Sequence, residues 1–144
     1  LDHDARDDVF CGAARGDVEA MEEMLAHGDR GHGDAMAVNR GGETALMWAA
    51  SRGHEGAIKL LIKSKANVNA KDQHGFTALM NASQGGHIEA MRALISARAD
   101  VNVKEPEDDE TALNMAMHCA RQDAVQVLID AGAEVVTQSK TGAG

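Results

Sequence analysis

Aromatic side chains are nearly missing from this chain. Phe10, Trp48 and Phe76 are the only three in 144 residues, and tyrosine does not occur. Ala, Met, Leu and Ile must therefore fill the interior, which suits thin helices packed closely. Long apolar runs are missing too: no window holds about 18 continuous apolar residues, so nothing reads as a membrane span. No signal peptide is visible, although a chain that starts at Leu1 is open to being part of something longer. Cysteine occurs twice, as Cys11 and Cys119 near opposite ends. At ~8–10 Å per helix layer three steps separate them by roughly 25–30 Å, against the about 7 Å that a disulfide tolerates. Free thiols and an intracellular, cytoplasmic protein are expected.

A dominant basic face is the last absence. Net charge is −9, with ten acids and three bases in residues 1–37, five and nine in 38–104, and eight and two in 105–144. Acidic ends around a mildly basic middle argue against a nucleic-acid binder.

What the chain does have is one segment written twice. Gly42-Glu43-Thr44-Ala45-Leu46-Met47-Trp48-Ala49-Ala50-Ser51-Arg52-Gly53-His54 returns as Gly75-Phe76-Thr77-Ala78-Leu79-Met80-Asn81-Ala82-Ser83-Gln84-Gly85-Gly86-His87, a step of 33 residues that also relates Val68 to Val101 and Asn69 to Asn102. A fixed period of this size means stacked supersecondary units, each burying its face on its neighbours. The segment resembles the ankyrin repeat, whose pattern runs from a T-P-L-H helix start through A-A-x-x-G-H to a second apolar helix and G-A-D-V-N. The resemblance implies an all-α solenoid of helix-turn-helix units with β-hairpin fingers. It divides a single domain, 1–144, into units of approximately 1–38, 39–71, 72–104 and 105–138, with 139–144 as the start of a further unit or a tail.

Within that frame Thr44 and Thr77 cap the first helices with their hydroxyls. Ile58, Leu60, Leu61 and Ile62, then Met91, Ala93, Leu94 and Ile95, give the second helices apolar stripes at helical period. The first unit is degenerate. Asp7 stands in for the capping Thr, Phe10 is a core residue, Glu23 replaces an apolar residue on a side that has no neighbour, and Gly28 closes the second helix. The fourth unit slips by one residue, Thr77 mapping to Thr111, and Asp109 takes the place of Gly42 and Gly75. Three departures from the family stand out. Ala45, Ala78 and Ala112 replace the proline. Met47, Met80 and Asn114 replace the histidine, so its usual hydrogen bond is expected to be absent. Lys65 and Arg98 replace the helix-ending glycine, at about 1 kcal/mol each if the left-handed conformation is kept.

No catalytic constellation emerges. Phosphate loops, Cys-x-x-Cys pairs and nucleophile elbows are missing, and His54 and His87 belong to the repeat pattern. His27, Asp29, His32 and Asp34 fall in an extended connection read as a polar loop, with no metal expected because zinc sites show tighter spacing. The acidic run 105–110 lacks calcium-loop spacing and reads as a solvated hairpin tip. No cofactor is expected, and no enzyme.

The resemblance does imply a surface. Ankyrin-like proteins grip protein partners with hairpin tips and the exposed faces of first helices. By register these are Arg40, Glu43, Trp48, Ser51 and Arg52 in unit two. Unit three supplies Gln73, His74, Phe76, Asn81 and Gln84, and unit four Glu107, Asp108, Glu110, Met115 and His118. Trp48, Phe76 and Met115 are the expected apolar anchors, since aromatic residues dominate interface energetics. The competing expectation has Trp48 packing over Gln84 and Phe76 packing onto a neighbouring hairpin. Lys65 with Arg98, and Lys71 with Lys104, form basic pairs in adjacent layers, solvated unless they meet an acidic partner. The function implied is non-catalytic protein recognition by a preformed groove on a protein that is monomeric by itself. The alternative is a structural subunit or scaffold segment of a larger assembly or of a longer multidomain chain.

Overall fold

The computed structural model describes residues 41–133 together with Gly16, Val18, Glu19 and Glu22. Six helices follow in pairs: α1 (Ala45–Arg52) and α2 (Glu55–Lys63), α3 (Ala78–Gly85) and α4 (Ile88–Ser96), α5 (Ala112–His118) and α6 (Gln122–Asp130). The first helices stack as one row, α1 on α3 on α5, and the second helices as another, α2 on α4 on α6. Each pair closes on itself and on its neighbours, the arrangement expected of a solenoid. The expectations placed on Asp7, Phe10, Cys11, Glu23, Gly28, loop 27–34, Arg40 and residues 139–144 lie outside the described residues.

The first helices start where they do because of threonine. Thr44 Oγ1 accepts from Met47 N at 3.2 Å, Thr77 Oγ1 from Met80 N at 3.3 Å, and Thr111 Oγ1 from Asn114 N at 3.3 Å. Where a lost hydrogen bond was expected, sulfur supplies a substitute. The N–H groups of Thr44 and Thr77 each donate to the thioether of Met47 and Met80 at 3.4 Å. Thioether sulfur is a weak acceptor, but it completes a reciprocal cap with two buried donors satisfied. Thr111 makes only the forward half of this cap.

Alanines at 45, 49, 50, 78, 82, 112 and 116 are buried, and they let the first helices approach closely. Leu46, Met47, Ile58, Leu61, Leu79, Met80, Met91, Leu94, Leu113 and Leu128 fill the space between rows. Ser83 is fully buried and donates its hydroxyl to the Leu79 carbonyl at 2.7 Å.

First helices end on left-handed residues, Gly53 (φ 72°) and Gly86 (φ 68°). The bend lets the next layer seat a side chain there. His87 Nε2 lies 3.1 Å from the Ser51 carbonyl oxygen, and Arg121 Nε donates to the Gln84 carbonyl at 3.1 Å. Unit four uses Ala120 at φ 57° for the same turn. Second helices also end in left-handed residues. Lys65 (φ 75°) and Arg98 (φ 74°) keep the conformation despite carrying side chains, while Gly132 (φ 96°) adopts it freely.

The fingers between layers are tight hairpin-like turns, and the described residues form no regular strand in them. In unit three Asp72 N donates to the Phe76 carbonyl at 3.0 Å, and Gln73 N reaches across to the Gly41 carbonyl at 2.9 Å. In unit four Glu105 N donates to the Glu110 carbonyl at 2.9 Å. No helix among the described residues is long and apolar enough to cross a membrane.

Candidate interaction surface

Trp48 is the fourth of the eight residues of α1, half-buried and packed against the core. Two neighbours fix its ring. The indole Nε1 donates to Glu43 Oε1 at 3.2 Å, and the Arg52 guanidinium carbon stands 5.9 Å from the ring centroid, within cation–π reach. Glu43 and Trp48 are five residues apart and Arg52 follows four later, so one turn of helix and its cap place all three side by side. Around them lies a cavity of about 230 Å³ lined by Glu43, Met47, Trp48, Ser51, Arg52, Asp72 and Asn81. It straddles two layers: α1 gives one wall, while Asn81 of α3 and Asp72 of the finger give the other.

The structure thus gathers five of the expected contact residues, Glu43, Trp48, Ser51, Arg52 and Asn81, into one concavity. Gln84 is exposed at the far end of α3, and its carbonyl is already taken by Arg121. Gln73 and His74 are exposed at the finger tip and meet through Gln73 Nε2 and His74 Nε2 at 3.4 Å. Phe76 is half-buried and packs on the core, so more of it serves the fold than an exposed anchor would.

In unit four Glu107 and Asp108 are exposed at the finger tip, and Glu110 Oε2 faces His118 Nδ1 at 2.9 Å. Met115 departs from expectation. It is 2% exposed and belongs to the core cluster, although it shares the register of Trp48 and Asn81. An unbranched thioether side chain can turn into an interior gap, as a rigid indole cannot. The exposed methionine is Met117, at 51%.

The acidic run also divides differently from expectation. Glu105 is only 3% exposed, while 107, 108 and 109 are exposed. Its carboxylate accepts from Glu107 N at 2.9 Å, Asp108 N at 2.7 Å and Glu110 N at 3.2 Å, so it staples the finger from inside. Burial pushes this carboxyl up, but the three N–H donors from Asp108, Glu110 and Glu107 outweigh it and hold Glu105 below its ordinary value. Asp72, one repeat earlier, does the same with one oxygen, accepting from His74 N at 2.8 Å and Phe76 N at 3.0 Å. The 33-residue spacing of Asp72 and Glu105 was the available signal for this role.

A larger, open groove of about 430 Å³ runs between α2 and α4, walled by Glu55, Lys59, Glu89 and Arg92 over Ile62 and Ala93. Its size alone does not make it the better site. Lys59 is spent on Glu55 at 2.7 Å, and no aromatic side chain among the described residues lines it.

Compared with known families, residues 9–105 and 72–139 match the family described as Ankyrin repeats (3 copies). The chain belongs to the ankyrin repeat family. Repeats of this family are generally protein–protein interaction modules, and the family is typically non-catalytic. No curated protein matches the chain. In an ankyrin repeat the row of first helices and the fingers are the faces on which Trp48, Arg52 and the unit-four acids stand.

Proposed function

We propose that this ankyrin repeat chain is a non-catalytic recognition module that binds a protein partner through the first-helix groove and the finger tips. The observation that carries this reading is Trp48. It is the sole tryptophan of the chain, half-exposed, and oriented by Glu43 and Arg52 at the mouth of a cavity. A rigid aromatic set in advance costs little entropy on binding, which is what an interface anchor requires. Gln73, His74, Phe76, Asn81 and Gln84 extend the contact face around it, and Arg40 joins the set by register alone. Glu107, Asp108, Glu110 and His118 give its unit-four end an acidic rim that orients the partner and speeds encounter.

In this reading the four units act as one domain, monomeric by itself and without cofactor or nucleic acid. Cys119, exposed and free, fits a reducing, cytoplasmic setting. Partner capture from lysate with the natural protein and with Trp48→Ala plus Phe76→Ala, at matched helicity, is the test. Partners held only by the natural protein, and cross-linked to α1 or the fingers, support the groove. Equal retention at equal affinity removes it.

The second reading, a scaffold segment of a larger assembly, draws on Met117 and Ile129, exposed at 51% and 41% on the third described helix pair. The mass and sedimentation of the natural protein in its source extract separate the two.

A further inference from the structure

The C-terminal ends of α2 and α4 and the loops that follow them carry a concentration of positive charge that the groove reading does not use. Residues 63–71 hold Lys63, Lys65 and Lys71 and no acid, while 96–104 hold Arg98 and Lys104 against the single acid Asp100. All five cations are exposed, and none of their side chains has an ion pair or hydrogen-bond partner among the described residues. The two loops are neighbours in space. Asn69 ties them together, its Nδ2 donating to the Arg98 carbonyl at 3.4 Å and its Oδ1 accepting from Asp100 N at 2.6 Å.

Two of these cations stand where the backbone favours glycine. Lys65 and Arg98 hold φ of 75° and 74°, a conformation that L side chains enter at a cost. The same molecule contains the unstrained solution, since Gly132 makes the equivalent turn after α6. Strain kept twice in adjacent layers, each time by an unpaired cation, points to use of the charge rather than to the demands of the turn.

We propose that this edge is a second docking surface, which takes an extended acidic segment of a partner protein. Layers spaced by ~8–10 Å match acidic residues two or three apart on an extended chain, at about 3.3 Å per residue. The segment is protein rather than nucleic acid for two reasons. The edge has no aromatic side chain on which a base can stack, and the exposed acids at 107, 108 and 109 follow Lys104 within a few residues and repel a long polyanion. The net charge of −9 likewise restricts acidic ligands to the one region where positive charge is concentrated.

The test uses fluorescein-labelled Glu-Ser and Gln-Ser repeat peptides in anisotropy titrations at low and physiological salt. The proteins are the natural chain and Lys65→Gly plus Arg98→Gly. The expected result is salt-sensitive binding of the Glu-Ser peptide only, roughly tenfold weaker in the variant. The variant's melting temperature should be no lower, because glycine relieves the strained turns. That combination, weaker binding without lost stability, cannot come from damage to the fold. Equal binding by the variant overturns the proposal, as does absence of Glu-Ser binding by the natural chain. Tighter binding of labelled oligothymidylate than of the peptide would assign the edge to nucleic acid instead. Salt-sensitive self-association of the natural chain that the variant loses would assign it to a second copy. Neither result bears on the Trp48 groove, which the edge does not share.

Discussion

The imidazole of His87 occupies the volume that a side chain on Gly53 would need. A Cβ at Gly53 would fall 2.5 Å from His87 Nδ1, while the other ring nitrogen lies 3.1 Å from the Ser51 carbonyl oxygen. One glycine thus serves two ends: it turns the chain at φ 72°, and it leaves the hole into which the next layer locks. Gly86 offers the same hole to Arg121.

Gly53→Ala therefore meets both a left-handed backbone and an occupied site. It should lower stability by about 2 kcal/mol in urea unfolding, with part of the loss recovered when His87→Ala is added. Ala120→Gly tests the backbone component alone, at φ 57°. It should raise stability by up to about 1 kcal/mol. If Gly53→Ala costs no more than Ala120→Gly gains, the interlayer lock is not energetically real.

Sulfur capping gives the second prediction. Met80→Leu keeps the volume but leaves the Thr77 N–H without an acceptor, and should cost about 1 kcal/mol. Thr77→Ala removes the opposite half of the cap, at a cost of about 1–2 kcal/mol. Because both act on one helix start, the double variant should lose less than the sum. Full additivity in the cycle would show that the thioether contributes packing only.

Much of this is legible in the residues alone. Thr44, Thr77 and Thr111 announce helix starts because a hydroxyl there has one local use. Lys65 and Arg98 announce left-handed turns because the register puts them on glycine positions. Register fails where the outcome depends on what a side chain does after leaving the backbone. Met115 shares its position with Trp48 yet turns inward, and Met47 and Met80 look like lost hydrogen-bond partners until their sulfurs are placed. Glu105 reads as one of five solvated acids, because sequence does not show which of them faces its own turn. Ala120 is legible by the same register, since it aligns with Gly53 and Gly86.

Glu105 supplies a pH prediction. Its carboxyl titrates below the ordinary 4.5 in the folded state, so the folded chain binds the proton less readily than the unfolded chain. The stability it contributes is fully present above the unfolded value and is lost as pH falls through the lower folded value. Glu105→Gln should melt below the natural protein at neutral pH. The gap in melting temperature should narrow as pH drops below 4.5. A gap independent of pH would mean that the three N–H bonds do not distinguish carboxylate from amide.

Trp48 allows contact and packing to be separated in one variant. Its ring is half-buried and touches the core, so Trp48→Ala should cost a modest about 1–2 kcal/mol in unfolding. Ile58→Ala, at a fully buried site, should cost about 2–5 kcal/mol. Affinity for a captured partner should rank the other way. Trp48→Ala should lose 2 kcal/mol or more, roughly thirtyfold, while Ile58→Ala, once folded, should lose little. Arg52→Ala should fall between natural protein and Trp48→Ala in binding, with almost no change in unfolding, because an exposed cation–π contact contributes about 0.5–1 kcal/mol. Trp48 is the only tryptophan, so its fluorescence reads unfolding and binding in the natural protein, Ile58→Ala and Arg52→Ala, while far-UV circular dichroism and calorimetry follow Trp48→Ala. If binding follows stability across the three variants, Trp48 is a packing residue and the partner lies elsewhere.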